Sequence, residues 1–286
     1  MRRLLDWTSE YFQQQGAGQP RLDAEILLAE ALQCARIDLY TRFDEEPDAP
    51  ARDKFRDWVA RHAEGEPVAY LVGHREFFSL KFEVNSSVLI PRPETEHLVS
   101  EALDAIPGFS HQPPRVVDVG TGSGNVAISI AKHAQEAQVV AADICDEALA
   151  VARRNAETHD LSGRISFVKS DLLDDVKQFD EVDLIVSNPP YVGQNETDQL
   201  DKSVLEFEPH QALFAGPQGT DIISRLIRQA AERLTSDGLL MFEISPMIAD
   251  TSREMVAGTQ GLEFVRIVND LAGLQRIVVA RKTAGG

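Results

Sequence analysis

Cysteine is nearly absent, with only Cys34 and Cys145 in 286 residues. Two thiols build neither a disulfide framework nor a tetrahedral zinc site. The seven histidines show no metal-ligand spacing, so no metal is expected. Long apolar runs are missing too. The longest, Val68–Val72 and Ala148–Ala152, are five residues each, whereas a membrane helix needs about 20. The start, Met1-Arg2-Arg3-Leu4-Leu5-Asp6, lacks the apolar stretch of a secretion signal. Positive charge is scarce: 28 Lys and Arg stand against 46 Asp and Glu, a net −18 at pH 7. Such a surface repels polyphosphate and argues against a direct nucleic-acid grip. What is present is ordinary for a soluble protein, 43% hydrophobic and 26% charged. The length suits about two domains. A reduced, cytoplasmic, monomeric protein with no membrane contact is expected.

Residues 1–75 read as a small helical bundle. Ala24, Leu27, Leu28 and Ala31 recur at helical spacing, with Asp23 as the expected N-cap, and a second helix is predicted from about Arg52 to Ala63. Residues 76–108 read as a β-hairpin and linker. Phe77, Phe78, Leu80, Phe82 and Val84 largely alternate with polar residues, and Val88-Leu89-Ile90 follows the turn-like Asn85-Ser86-Ser87. Pro93 suits the first turn of a helix. The polar, proline-rich stretch 108–114 predicts a domain junction. From 109 to 286 strands and helices alternate. Strands are predicted at Val116–Val119, Val139–Ala142, Ile165–Val168, Val182–Val186, Leu239–Phe242, Phe264–Ile267 and Arg276–Ala280. A helical face is predicted from Ile222, Ile223, Leu226, Ile227, Ala230 and Leu234. This is an α/β pattern, a parallel sheet of seven strands covered by helices on both faces. The last two strands, separated by a short loop, are expected to pair antiparallel at the edge.

Val116–Val119 runs into Gly120-Thr121-Gly122-Ser123-Gly124, a buried strand ending in a glycine turn that opens a helix. Glycine lets backbone come close to a ligand, and ligands of open α/β sheets bind at the carboxyl ends of the strands. Asp143, 19 residues past Gly124 at the end of the next strand, suits a ribose diol. Asp171, after the third strand, suits an adenine amino group, with Leu172 over the ring. Cys145 reads as packing and Asp146 as the N-cap of the helix after it. Gly122-x-Gly124-x-x-Ala127 also satisfies the dinucleotide fingerprint, so a dehydrogenase shares these features.

Ser187-Asn188-Pro189-Pro190-Tyr191 follows the fourth strand. The prolines stop the strand and fix φ. The Asn188 side-chain oxygen and the Pro189 carbonyl make two acceptors, which match an NH2 group with two protons to give. Tyr191 suits stacking on a flat amide or ring. Two such hydrogen bonds orient the lone pair of a delocalised nitrogen toward an electrophilic methyl group and stabilise the positive charge of attack.

Together these motifs resemble a class I S-adenosylmethionine-dependent methyltransferase that methylates amino groups. Glu66–Gly73, Glu76-Phe77-Phe78, Val88–Glu96, Glu208-Pro209, Ala212-Leu213, Gly216, Asp270–Gly273 and Arg276 are similar to the PrmC/HemK family. The likeness spans nearly the whole chain. It implies a Rossmann-like seven-stranded sheet, the last strand antiparallel, behind a five-helix domain that helps hold the substrate. The activity it implies is methylation of the glutamine side-chain amide in the Gly-Gly-Gln motif of bacterial class I peptide chain release factors, leaving S-adenosyl-L-homocysteine. It also implies that Gly120 to Gly124 bind the methionine end of the cofactor. Asp143 would hold the ribose and Asp171 with Leu172 the adenine, with Asn188 also near the cofactor. Asn188, Pro189, Pro190 and Tyr191 would hold the substrate amide. The chain departs from the family at Gln275, where an acidic residue is usual, and at Ile244-Ser245-Pro246 after Glu243.

Three other readings compete. A nucleobase amino-methyltransferase would use the same tetrapeptide but needs a basic surface. From Asp171 to Glu208 there are eleven acidic residues against Lys177 and Lys202, a rim that suits a basic protein. A nucleotide-dependent oxidoreductase explains the glycines and Asp143 but gives Asn188–Tyr191 no role. A binding module without turnover would keep the same pocket.

Overall fold

The computed structural model describes residues 1–193, 197, 201–216 and 219–283. They form two compact units, one of residues 1–74 with 201–207, the other of 75–200 with 208–286. The first holds α1 (Arg2–Gln14), α2 (Pro20–Ala31), α3 (Arg36–Thr41), α4 (Ala49–Ala63) and α5 (Val68–Val72), and later α9 (Lys202–Phe207). Leu5, Phe12, Leu27, Leu28, Leu39, Phe55 and Trp58 fill its core. Both predicted helices are present. Asp23 is not the cap of α2: Gln19 holds that position and Pro20 starts the helix. Proline at the first turn loses no hydrogen bond, so the helix begins one turn earlier. Asp23 instead faces His62 Nε2 at 3.5 Å.

The boundary between the units falls at the first residue of β1 (His74–Phe77), which pairs with β2 (Leu80–Glu83) as a small sheet. The hairpin turn is Phe78-Ser79, not Asn85–Ser87, and Val88–Ile90 is not a strand. Both turn residues have positive φ, 47° and 61°. That geometry matches the two-residue hairpin but normally calls for Asn or Gly. Glu96 holds it by accepting from the Phe78 N–H at 2.8 Å. A single 3-10 turn at Pro93–Thr95 then leads into α6 (Glu96–Ala105). Residues 76–108 do not behave as a linker. Phe77, Phe82, Leu98, Val99 and Ala102 share one core with the sheet.

All seven predicted strands form: β3 (Arg115–Val119), β4 (Gln138–Asp143), β5 (Ile165–Lys169), β6 (Val182–Ser187), β7 (Leu234–Glu243), β8 (Leu262–Asn269) and β9 (Gln275–Lys282). Their order is β5-β4-β3-β6-β7-β9-β8. The pairs from β5 to β7 are parallel, and β9 is antiparallel to both neighbours. The chain winds outward from β3 to β5 and then restarts at β6, so the order reverses between β3 and β6. Side chains alternate between two cores: Val116, Leu184 and Met241 face one, Val117, Ile185 and Leu240 the other. The first core takes α6 and α7 (Asn125–His133), the second α11 (Asp221–Arg233) and α12 (Ala249–Ala257). Between β4 and β5 runs α8 (Asp146–Thr158), and α10 (His210–Leu213) precedes α11. Cys145, not Asp146, sits at the N-cap of α8. Asp146 is one residue inside and pairs with Lys169 at 2.5 Å. Among the described residues no helix is long and apolar enough to cross a membrane.

Candidate active site

The reversal point between β3 and β6 places the carboxyl ends of β3, β4 and β6 around one cavity of about 310 Å³. Gly120, Thr121, Gly122, Ser123, Asp143, Asp171, Leu172, Asn188 and Pro190 all line it. Gly124, Pro189 and Tyr191 do not. A more open hollow of about 650 Å³ lies at the amino ends of the strands, near Gln112, Gln138 and Arg164. It contains none of the predicted site residues.

Gly120 and Gly122 have φ of +73° and +55°, and a Cβ at either would meet nothing within 4 Å. Their missing side chains leave backbone open beside the cavity. Gly124 has a different task. A Cβ there would lie 2.9 Å from Ile128 and 3.1 Å from Ala152, so this glycine lets α7 start against α8. The turn is pinned from both sides. Asp143 accepts from the Gly122 N–H at 2.8 Å and the Cys145 N–H at 3.0 Å. Burial holds the Asp143 carboxyl above its usual range despite these bonds. Asn155, buried in α8, donates to the carbonyls of Ser123 and Glu83 and accepts from the Glu83 N–H. It ties the glycine turn to the hairpin.

Asp118 lies beneath the turn and also lines the cavity. One of its oxygens accepts from the Thr121 hydroxyl at 2.7 Å and the Ala127 N–H at 3.1 Å. Burial dominates these bonds, and the carboxyl is pushed up to about 7. Asp171, read as an adenine acceptor, is held by Arg225 at 2.7 Å, and both face the cavity. Cys145, read as packing, is a wall residue, and Ile222 of the predicted helical face turns to the cavity.

At the β6 end, the Ser187 hydroxyl donates to the Val119 carbonyl at 2.7 Å and fastens the two strand ends together. Asn188 follows directly. Its Nδ2 donates to Thr95 Oγ1 at 3.1 Å, and Thr95 donates to Glu243 Oε2 at 2.6 Å. The Tyr191 hydroxyl approaches Glu243 Oε1 at 3.5 Å. Both Thr95 and Glu243 are buried. Burial pushes the Glu243 carboxyl up to about 7 and also raises the Tyr191 phenol. Buried Glu208, next to the cavity-lining Pro209, accepts from the Ile90 N–H at 3.2 Å and pairs with Arg92, also in the cavity wall, at 2.5 Å. The sequence marked Arg92, Thr95 and Glu208 only as parts of family-like runs and Glu243 only as the residue before a departure from the family pattern. No local pattern ties residues so far apart in the chain.

Comparison with known proteins adds to this geometry. Residues 3–73 match the PrmC N-terminal domain and residues 97–208 the methyltransferase small domain. A release factor glutamine methyltransferase from Rhodopirellula baltica is 49% identical over 98% of this chain and 95% of its own. One from Koribacter versatilis is 40% identical over 99% and 98%. The fold is shared with a methyltransferase from Pyrococcus furiosus, TM-score 0.53 at 19% identity, covering 79% of this chain and 98% of that one. With two such relatives matched from end to end, the chain belongs to the release factor glutamine methyltransferase family.

Proposed function

We propose that this protein methylates the side-chain amide nitrogen of the glutamine in the Gly-Gly-Gln motif of class I peptide chain release factors. The donor, S-adenosyl-L-methionine, supplies an electrophilic methyl group and leaves as S-adenosyl-L-homocysteine. One observation carries the reading: in a chain of this family, Asn188 sits at the reversal point of the sheet, in the wall of the same cavity as the glycine turn. The residues fit a cofactor of that chemistry. Gly120 and Gly122 give it open backbone, with Gly124 completing the turn, Asp143 gives a carboxylate for a ribose, and Asp171 with Leu172 an acceptor and an apolar cover for adenine. Asn188 Oδ1 and the Pro189 carbonyl accept the two N–H groups of the glutamine amide. Pro190 and Tyr191 hold the segment in place. The two acceptors turn the nitrogen lone pair toward the methyl group and stabilise the charge that develops there. The proton of the methylated nitrogen, strongly acidic after attack, passes to water.

The helical unit, residues 1–75 in our reading, supplies further contacts to the folded release factor. The net charge of −18 and the acidic stretch from Asp171 to Glu208 suit a basic protein partner. They disfavour a nucleic acid, and we place the enzyme in the cytoplasm as a monomer. The test is mass spectrometry of the loop glutamine after incubation of folded release factor with enzyme and labelled cofactor. The expected result is one methyl group on that glutamine, with a short Gly-Gly-Gln peptide a poor substrate. Faster methylation of duplex DNA or ribosomal RNA overturns the proposal.

A further inference from the structure

Resting on that reading, we propose that Thr95 and Glu243 act as a lock on Asn188, setting its side-chain amide so that the oxygen, not the NH2 group, is presented to the substrate. Neither residue touches the reacting atoms. Both are positioning residues, brought from the 3-10 turn before α6 and from the end of β7 to the end of β6.

The argument is one of donors and acceptors. An asparagine amide is nearly symmetric in shape, and turning it by half a revolution exchanges an acceptor for a donor. A substrate NH2 group demands the acceptor. Glu243 as a carboxylate only accepts. The single Thr95 proton is therefore committed to Glu243 Oε2 at 2.6 Å, and Thr95 Oγ1 has only lone pairs left for Asn188. At 3.1 Å it takes an N–H from Nδ2. With Nδ2 so fixed, Oδ1 is the acceptor Asn188 has to offer a substrate. Thr95 and Glu243 are buried and Asn188 is half-buried in the cavity wall, so a mismatched pair among them is expensive. A donor at position 243 reverses the chain. Thr95 Oγ1 then accepts from 243, its proton turns to Asn188, and the amide flips.

The surroundings keep Glu243 near the balance point. Burial and the Glu94 carboxylate work against its charge, while Thr95, Arg276 and the Tyr191 hydroxyl support it, and the carboxyl is pushed up to about 7. Arg276 is itself engaged by Asp270 at 2.8 Å, and the Arg92 charge acts on neighbouring Tyr191. The lock is therefore set above that pH and released below it.

The experiment is single-turnover and steady-state methylation of release factor by wild type, Glu243→Gln, Thr95→Val and Thr95→Ser. Wild-type kcat should rise with pH through about 7. Glu243→Gln and Thr95→Val should lower kcat about 10- to 100-fold, the range for removing an outer partner that orients a reacting side chain, with KM and cofactor affinity kept and the acidic limb gone. Thr95→Ser, which keeps the hydroxyl, should stay within about threefold of wild type. Full kcat with an unchanged acidic limb in Glu243→Gln, or equal activity in Thr95→Val and Thr95→Ser, overturns the lock. If Glu243→Gln does not fold, the two Thr95 variants decide alone. If wild type leaves the release factor unmethylated, the functional reading fails, and the lock is read directly by NMR of isotope-labelled protein. The Asn188 side-chain N–H signals should then titrate with Glu243 in wild type and not in Thr95→Val. Signals that ignore pH in both overturn it.

Discussion

Both units bury carboxylates answered by guanidiniums, Glu25 in the helical unit and Asp183 and Glu208 in the sheet unit, but among the described residues only the sheet unit also buries carboxylates that pair with no guanidinium. In the helical unit, Glu25 is almost fully buried yet surrounded by donors. Arg21 reaches it at 2.8 Å, Arg36 at 2.9 Å, and the Tyr40 hydroxyl completes the set. Burial works against its charge, but Tyr40, Arg36 and Arg21 overcome it and hold the carboxyl below its usual range. In the sheet unit, Asp118 and Glu243 hydrogen-bond only hydroxyls and a backbone N–H, and both are pushed up to about 7. A buried charge answered by two guanidiniums is settled and serves the fold. A buried carboxylate without a hydrogen-bonded cation is held near its titration point, and such groups gather where chemistry is done. Both unsettled carboxylates adjoin the cavity or Asn188.

The comparison predicts that losing a polar group beside the cavity costs activity, whereas losing a buried carboxylate answered by guanidiniums costs stability. The largest effect is at Asn188. Asn188→Ala should slow methyl transfer by about 10²–10³, the loss for one preorganised polar group, with a melting temperature within about 2 °C of wild type. Single-turnover rates beside a thermal melt check it. A collapse in stability at unchanged rate would make Asn188 a structural group like Glu25.

Next is Glu25→Ala, which should lower stability by about 2 kcal/mol at pH 7. That is less than a fully buried pair costs, because Arg21 and Arg36 are part-exposed and return to water. A depressed folded pKa contributes stability above the unfolded carboxyl range, lost as pH falls through it. Denaturant melts of the two proteins should therefore converge as pH falls below the ordinary carboxylate range, while binding of S-adenosyl-L-homocysteine stays unchanged. Asp143→Ala, which leaves the Gly122 and Cys145 N–H groups without their acceptor, should lower stability by about 1 kcal/mol and weaken that binding by about 1.5–3 kcal/mol in titration calorimetry, the scale of hydrogen bonds to a charged partner. Equal affinity would remove Asp143 from the site.

How far this division could be read from the chain depends on distance along it. The seven strands were legible because Val, Ile and Leu cluster in short runs between helical patterns. The glycine turn and Asn188–Tyr191 were legible because each is contiguous. The Phe78-Ser79 turn was not, since neither residue type announces a left-handed backbone, and the support from Glu96 lies 18 positions away. Asp23 and Asp146 looked like caps because carboxylates usually are. A proline start at Pro20 and the bond from the Cys145 N–H to Asp143 moved both boundaries by other means. Asn155 looked like one more polar residue in a helix, yet it joins segments 32 and 72 positions apart. The Asn188–Thr95–Glu243 chain closes over separations of 93 and 148 residues. Only the folded sheet, which brings the ends of β6 and β7 beside the turn before α6, makes it a unit.

The smallest effect is the sharpest test of the comparison, because its sign runs against habit. Asp118 rises from the ordinary 3.8 to about 7 on folding. Between those values the folded chain binds more protons than the unfolded one. The stability from that proton is fully present below about 4 and is lost as pH rises through 7. At pH 8 the wild type therefore carries a buried charge that a neutral isostere would not. Both hydrogen bonds to Asp118 fall on the same oxygen, Oδ2. An asparagine oxygen placed there keeps the Thr121 and Ala127 bonds, and the new NH2 replaces the other oxygen. The gap of about three pH units sets a ceiling near 4 kcal/mol at about 1.4 per unit, and the NH2 group, which needs its own acceptor in a buried place, takes back most of it. Asp118→Asn should thus stabilise the sheet unit by about 1 kcal/mol at pH 8 and destabilise it by about 1–2 kcal/mol at pH 5, because the wild type regains about 1.4 kcal/mol for each pH unit below 7. Melting temperatures of both proteins across that range decide. A loss at pH 8, or a gain of equal size at both ends, would mean that Asp118 is as settled as Glu25, Asp183 and Glu208.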